Sequence, residues 1–263
     1  MSEYFGDAHA VALQRSIRER IGEISLNPLL ANGGRVLNVL DPDACGWDFV
    51  RQEFDQNQVV ALTMVDKKAT LARLAAEFDG AAQFPCWDVF TGTAEEVVPV
   101  CEALAERMSP PEGWTVTHDM RPGDDLIHTC QLLNADADVT PLPAYYLKGE
   151  HIPAMLTCVW RNDGKLVACA SASMRYHPEG PLSGYIFAGG VSVREKDRRR
   201  GLGSYVNAAL IAESWKRFGW SNILEQARTD NLASVGMITR CGLHCDADRA
   251  TVLLTAGGRY LTR

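Results

Sequence analysis

The stretch VSVREKDRRRGLGSYV, Val191 to Val206, decides how this chain is read. An alternating apolar run ends at Val193. Of the next seven residues five are Lys or Arg; then Gly201 and Gly203 flank a leucine, and an apolar helical period resumes at Val206, Ala209 and Leu210. The order is strand, basic glycine loop, helix. A helix that opens on glycines presents free backbone N–H groups and the positive end of its dipole, and glycine lets an anion approach the chain closely. Residues 194–200 add five positive and two negative charges, a local +3. The physical expectation is a site for a multiply charged phosphate group.

Pattern narrows the phosphate ligand. A nucleoside triphosphate loop needs Lys after its last glycine, and Gly203 is followed by Ser204; a dinucleotide fingerprint needs a third small residue, and position 206 is Val. Neither spacing fits.

Outward from this loop, the second half reads as a mixed sheet. WTVTHD (114–119) alternates like a strand, Leu126, Cys130 and Leu133 mark a helix, and PLPAYYLKGEH a short helical or irregular segment. AMLTCVWR and KLVACASASMRY are strands joined by Asp163-Gly164, a strong hairpin signal. SGYIFAGGVSV (183–193) is the next strand, and its Gly189-Gly190 pair marks a bulge or a close ligand approach. After the loop come a helix up to Gly219, the strand NILEQA, and the helix NLASVGMITRCGL (231–243).

The first half has a different charge. Residues 1–111 hold 9 basic and 17 acidic residues, net −8, against 17 and 16, net +1, in 112–263. The break falls at the Pro-Gly stretch MSPPEGW, so domains 1–111 and 112–263 are expected. Strands RVLNVL (35–40) and VVALTM (59–64) alternate with helices marked by Leu13, Ile17 and Ile21, by Trp47, Val50 and Phe54, and by Leu71, Leu74 and Phe78. Thr93 and Glu96 form a capping box before another helix. This is a small layered α/β domain with no glycine-rich phosphate loop. Two origins stay open for it: a worn copy of the second half's fold, or an unrelated module.

Composition excludes some functions. At 263 residues and 46% apolar the chain can bury a sizeable core, and no apolar run approaches the roughly 18 residues of a membrane span. A net charge of −7 argues against nucleic acid as the main partner. A membrane partner is not expected either, and a cytoplasmic location is the default expectation. The eight cysteines mostly sit in apolar runs and read as buried thiols, CGLHC (241–245) included, because a second pair of metal ligands is missing.

The run V-x-V, four linking residues, then R-x-x-G-x-G, Val191 to Gly203, together with the later helix opening on Asn231, resembles the GNAT superfamily of N-acetyltransferases over 112–263. The resemblance implies an α/β (α+β mixed sheet) fold whose strands splay apart to admit acetyl-coenzyme A as the acyl donor. It implies backbone contacts from Val191 and Val193 to pantetheine. Pyrophosphate contacts would come from Arg199, Arg200, Gly201, Leu202, Gly203 and Ser204, with charge from Arg198, Arg199 and Arg200 and a further coenzyme contact at Asn231. The implied activity is direct transfer of an acetyl group to a primary amine of a small molecule or protein. The whole coenzyme site is expected within 112–263.

The proton carriers depart from the family's pattern. Where many members place a tyrosine this sequence has Ile238, and where some place a carboxylate it has Gln226. Glu225 is adjacent, although strand alternation points it to the opposite face. Tyr185, on the strand entering the site, is the other candidate, with Tyr146, His151, His177 and Glu179 behind it. A second function stays open on this account, an acyl-CoA-binding regulatory or scaffold protein with weak catalysis. Acceptor specificity is expected in 120–151 and in the loop YHPEGP (176–181).

Overall fold

The computed structural model describes residues 3–257 except 79 and 81. The first half runs α1 (Ala8–Glu19), α2 (Ile21–Leu26), β1 (Leu30–Asn32), β2 (Leu37–Val39), α3 (Pro42–Cys45), α4 (Trp47–Asn57), β3 (Val59–Asp66), α5 (Lys67–Glu77), β4 (Cys86–Thr93) and α6 (Ala94–Arg107). The second runs β5 (Thr115–Asp119), α7 (Asp124–Asp136), α8 (Ala144–Leu147), β6 (Ala154–Trp160), β7 (Leu166–Ser173), β8 (Tyr185–Val193), α9 (Leu202–Phe218), β9 (Asn222–Ala227), α10 (Leu232–Arg240) and β10 (His244–Thr255). Helix starts follow local chemistry. Asp7, Asp41, Asp66 and Asn231 cap α1, α3, α5 and α10 through their side chains. The Thr93–Glu96 capping box of α6 forms both reciprocal bonds, at 3.0 and 3.3 Å.

Among the described residues ten strands join one mixed sheet in the order β1-β2-β3-β10-β4-β9-β8-β7-β6-β5. β10 lies antiparallel between β3 and β4, and β4 lies antiparallel against β9. Strands from the two halves are therefore interleaved. The order is also nearly palindromic about the β10–β4 pair. On one side β1 pairs antiparallel with β2 and β2 parallel with β3; on the other β7 pairs antiparallel with β8 and β8 parallel with β9. Connections match too, since apart from the one-turn α3 the order β2-α4-β3-α5-β4 repeats β8-α9-β9-α10-β10. Both α4 and α9 open on a positive-φ glycine without a side-chain cap, Gly46 at φ 87° and Gly201 at φ 79°. The first half is thus a reduced copy of the second half's strand–helix–strand core, with Asp41, Asp43 and Asp48 near its glycine where the second half carries arginines.

One face of the sheet packs on α6 and α9. Ile186, Ala188 and Ile223 meet Val206, Leu210 and Ile211 there, with Val97 and Cys101 of α6. Val60 and Leu62 of β3 and Val252 and Leu254 of β10 continue that face under α4 and α5. Along β9, Ile223, Glu225 and Ala227 share one face, while Leu224 packs on the other with Val89 and Tyr176. Among the described residues no helix is long and apolar enough to cross a membrane.

Candidate active site

The site begins where two parallel strands part. β8 and β9 pair only at Tyr185–Asn222, Ile186–Ile223 and Phe187–Leu224. Beyond Phe187, β8 follows β7 and β9 follows β4. The departure is fixed by a bulge at Gly189-Gly190, where the β7–β8 register shifts and Gly190 takes φ 65°. Asn134 of α7 pins it, its Nδ2 donating to the Gly190 carbonyl at 3.0 Å and to Ser192 Oγ at 2.8 Å. The gap opens a cleft of about 1010 Å³. Val191 and Val193 stand on its wall.

The basic loop closes one end. Arg199 at φ 62° and Gly201 at φ 79° turn the chain so that α9 starts against the cleft. No side chain caps α9, and its first N–H groups have no carbonyl four residues back to receive them. Arg198, Arg199, Gly201, Leu202, Gly203 and Ser204 all line the cleft. Arg198 Nε donates to the Val193 carbonyl at 3.0 Å, which ties the loop to the strand. Arg200 stands off the wall, with Asp197 at 3.7 Å. The two glycines serve different ends. A Cβ on Gly201 would collide with the methyl of Met108, whereas one on Gly203 would rest in ordinary contact, 3.7 Å from Met237 and 3.8 Å from Val193. Nothing in the chain requires Gly203, so the space above it suits a ligand. Asn231 also lines the cleft while its side chain accepts from Ser234 N at 3.1 Å.

At the point of the splay lies Glu225, 1% exposed, with Asn207 Nδ2 of α9 donating to its carboxyl at 2.8 Å. Burial pushes its pKa up to about 8, against which the Asn207 hydrogen bond works. Gln226 and Ile238 line the same cleft, and Gln226 Oε1 is buried without a partner. Tyr185 is placed elsewhere. It sits at the paired end of β8, packs near Tyr176 and Leu182, and does not line the cleft. His151, beside Tyr145, and His177, which accepts from the Glu179 backbone N–H at 3.0 Å, are also off its wall.

Sequence reasoning missed the far wall. Gly33, Arg35, Asn38 and Trp87 reach the cleft from the first half, and Arg175, Phe187 and Thr251 from the second. Residues 137–140, Leu142 and Tyr146 contribute from the segment expected to carry specificity, while YHPEGP contributes none. No spacing rule links Arg35 to Arg175, because they lie 140 residues apart and only tertiary packing brings both to the cleft. The available signal was weaker: each arginine stands in an apolar stretch with no acidic neighbour.

A model of the acetyltransferase (GNAT) family matches residues 126–243. Those residues are a GNAT domain. They hold the bulged strand, the basic loop, α9, β9 and the Asn231-capped helix, so the family's motifs and the cleft coincide. Solved structures extend the likeness to most of the chain. A GCN5-related N-acetyltransferase from Kribbella flavida is 17% identical with a TM-score of 0.54, over 85% of this chain and 79% of that one. A tandem GNAT protein from the clavulanic acid biosynthesis pathway is 13% identical with a TM-score of 0.56, over 86% and 77%. A GCN5-related N-acetyltransferase-like protein from Streptococcus suis is 14% identical with a TM-score of 0.56, over 94% and 99%. At these identities the likeness is one of fold, and a tandem arrangement agrees with the near-palindromic sheet. No curated protein matches the sequence.

Proposed function

We propose that the chain is an acetyl-CoA-dependent N-acetyltransferase that passes its acetyl group directly to a primary amine. The observation that carries this reading is the continuous wall from the uncapped start of α9, along the splayed edge of β8, to Glu225 and Gln226. Pyrophosphate fits at the N–H groups of residues 201–204 with Arg198 and Arg199 beside it, and the pantetheine arm along Val191 and Val193. The acyl carbonyl then falls at the splay, where a backbone N–H near Val191 would stabilise the developing oxyanion. The neutral amine attacks the carbonyl carbon, the C–S bond breaks, and coenzyme A leaves as thiol or thiolate. Glu225 is the carboxyl on hand to take the amine's proton. The position of the family's usual tyrosine is held by Ile238, which is apolar and 1% exposed and has no proton to give. Holding two reactants in place accounts for much of such a rate, so proximity with water as the final proton carrier suffices.

Ile238 also favours a second reading, an acyl-CoA-binding regulatory protein with weak turnover. One assay separates the two. Acetyl-CoA is incubated with a panel of amines and thiol release is followed for wild type and Gly203→Asp. Transfer that the substitution abolishes supports the enzyme; a Gly203-dependent melting shift with coenzyme A but no transfer supports the regulator. Absence of any coenzyme A binding overturns both.

A further inference from the structure

Two of the arginines that line the cleft, Arg35 and Arg175, are withdrawn from solvent and have no counter-ion among the described residues. Arg175, just after β7, is 8% exposed and lies over the Phe187 ring at 3.6 Å. Its Nη2 donates to the Tyr176 hydroxyl at 3.2 Å, and its Nε is buried with no partner. Arg35, in the turn between β1 and β2, comes from the first half. Its Nη1 donates to the Thr140 carbonyl at 2.9 Å, and its Nε is also buried without a partner. Among the described residues neither arginine forms an ion pair. The two repel one another: burial, and then the charge of Arg175, push Arg35 down to about 10.

Buried charges are ordinarily paired, and a guanidinium carries five donors in a fixed fork. Here both guanidinium groups leave a buried Nε without a partner, and both residues line one cleft. A planar anion with two oxygens is what an Nε–Nη edge binds best, in bidentate fashion. The same cleft holds two other buried polar atoms without partners, Gln226 Oε1 and Thr251 Oγ1, both able to accept. Donors for an anion and acceptors for an N–H therefore belong to residues of one cleft. The basic loop already provides for the donor's phosphates at the start of α9, so this second cationic patch is left for the other reactant.

We propose that the acceptor is a small amino carboxylate, whose carboxylate bridges Arg35 and Arg175 and whose amine lies toward Gln226 and the splay. The inference rests on the acetyltransferase reading for the reaction, though the anion site stands on the two arginines alone. It also gives the first half a role, because Arg35 makes the reduced copy part of the acceptor pocket.

The test uses the full chain. Acetyl transfer is measured with glycine, β-alanine, γ-aminobutyrate and the common α-amino acids, each beside its carboxamide and, where one exists, the aminophosphonate of equal length. The best carboxylate should exceed its carboxamide in kcat/KM by about 10–100-fold, the range expected for losing charge-assisted hydrogen bonds. Arg35→Gln should raise KM for that carboxylate by a similar factor, leave KM for acetyl-CoA unchanged, and abolish the preference over the carboxamide; Arg35→Lys should restore part of it. Arg175→Lys serves as a second variant. Equal use of carboxylate and carboxamide, or a better aminophosphonate, would overturn the proposal while leaving the transferase reading intact. A melting shift by amino carboxylates with coenzyme A present, lost in Arg35→Gln, would support the site even if no amine is turned over; turnover without any such shift would count against it.

Discussion

Replacing Glu225 with glutamine tests the buried carboxyl without altering its shape. Glutamine keeps an oxygen that accepts from Asn207 Nδ2 and, like the protonated carboxyl, carries no charge. Burial disfavours the anion and pushes the Glu225 carboxyl up from its ordinary 4.5 to about 8 in the folded protein. As pH rises through that window the unfolded chain gives up its proton while the folded protein keeps its own. Folding then loses about 1.4 kcal/mol per pH unit, to a total of roughly 5 kcal/mol, complete above the folded value. Glu225→Gln has no proton to lose. Urea unfolding of both proteins between about pH 5 and about pH 9 should give curves that run close at the acid end and diverge steadily, the variant becoming the more stable. Parallel curves would refute the reasoning, since they would mean that Glu225 ionises as a solvated carboxylate does. Where the ionised carboxyl takes the amine's proton, acetyl transfer in the wild type should rise toward the same pH.

Three further outcomes follow from the packing, and a fourth from the sheet. Gly203→Ala should leave the melting temperature unchanged or slightly raised, as alanine is favoured over glycine in a helix by about 0.5–1 kcal/mol, yet weaken coenzyme A at least about tenfold by calorimetry. Gly201→Ala should instead destabilise the fold by about 1–2 kcal/mol in urea, through its left-handed backbone and the Met108 collision. Ile238→Tyr overfills a fully buried position among Val206, Cys241 and Leu243, and should cost about 1–3 kcal/mol of stability in the same assay without adding a falling alkaline limb to the kcat/KM profile. A fragment spanning 112–263 leaves β9 without β4 and β10 without either neighbour; circular dichroism and thermal melts should show no cooperative transition, whereas a folded fragment that binds coenzyme A would contradict the continuity of the sheet.

Local signals carried the basic-loop end of the cleft. The basic loop, the glycines, the Asp-Gly hairpin and the Asn231 cap are consecutive residues whose chemistry acts over one turn, so the sequence displays them directly. The bulge at Gly189-Gly190 was legible for the same reason. β4 and β10 were not. β4 mixes buried Trp87, Val89 and Phe90 with Asp88 and Gly92, and β10 opens on six polar or small residues with its register broken between Asp246 and Ala250. Both are central strands whose partners lie in the other half, and no short-range period records such pairing. The wall that holds Arg35 and Arg175 was hidden because their approach is tertiary: Arg35 lies between β1 and β2 and is held against the 140–145 segment by bonds to the Thr140 carbonyl and from the Tyr145 hydroxyl to Gly34. Tyr185 misled because it lies on the correct strand but before the splay, where β8 and β9 are still paired.

The position of β10 has a consequence for how the chain is made. On a ribosome β3 and β4 emerge early, yet the strand that separates and pairs them is synthesised after every other described element. Until Thr255 has left the exit tunnel, the middle of the sheet is an open slot with two unpaired edges, the kind of surface that recruits strands from other molecules. Folding must therefore wait for translation, and its slowest event should be the long-range insertion of that strand. Slowing the ribosome over the first half would gain nothing; a chaperone that shields the slot would.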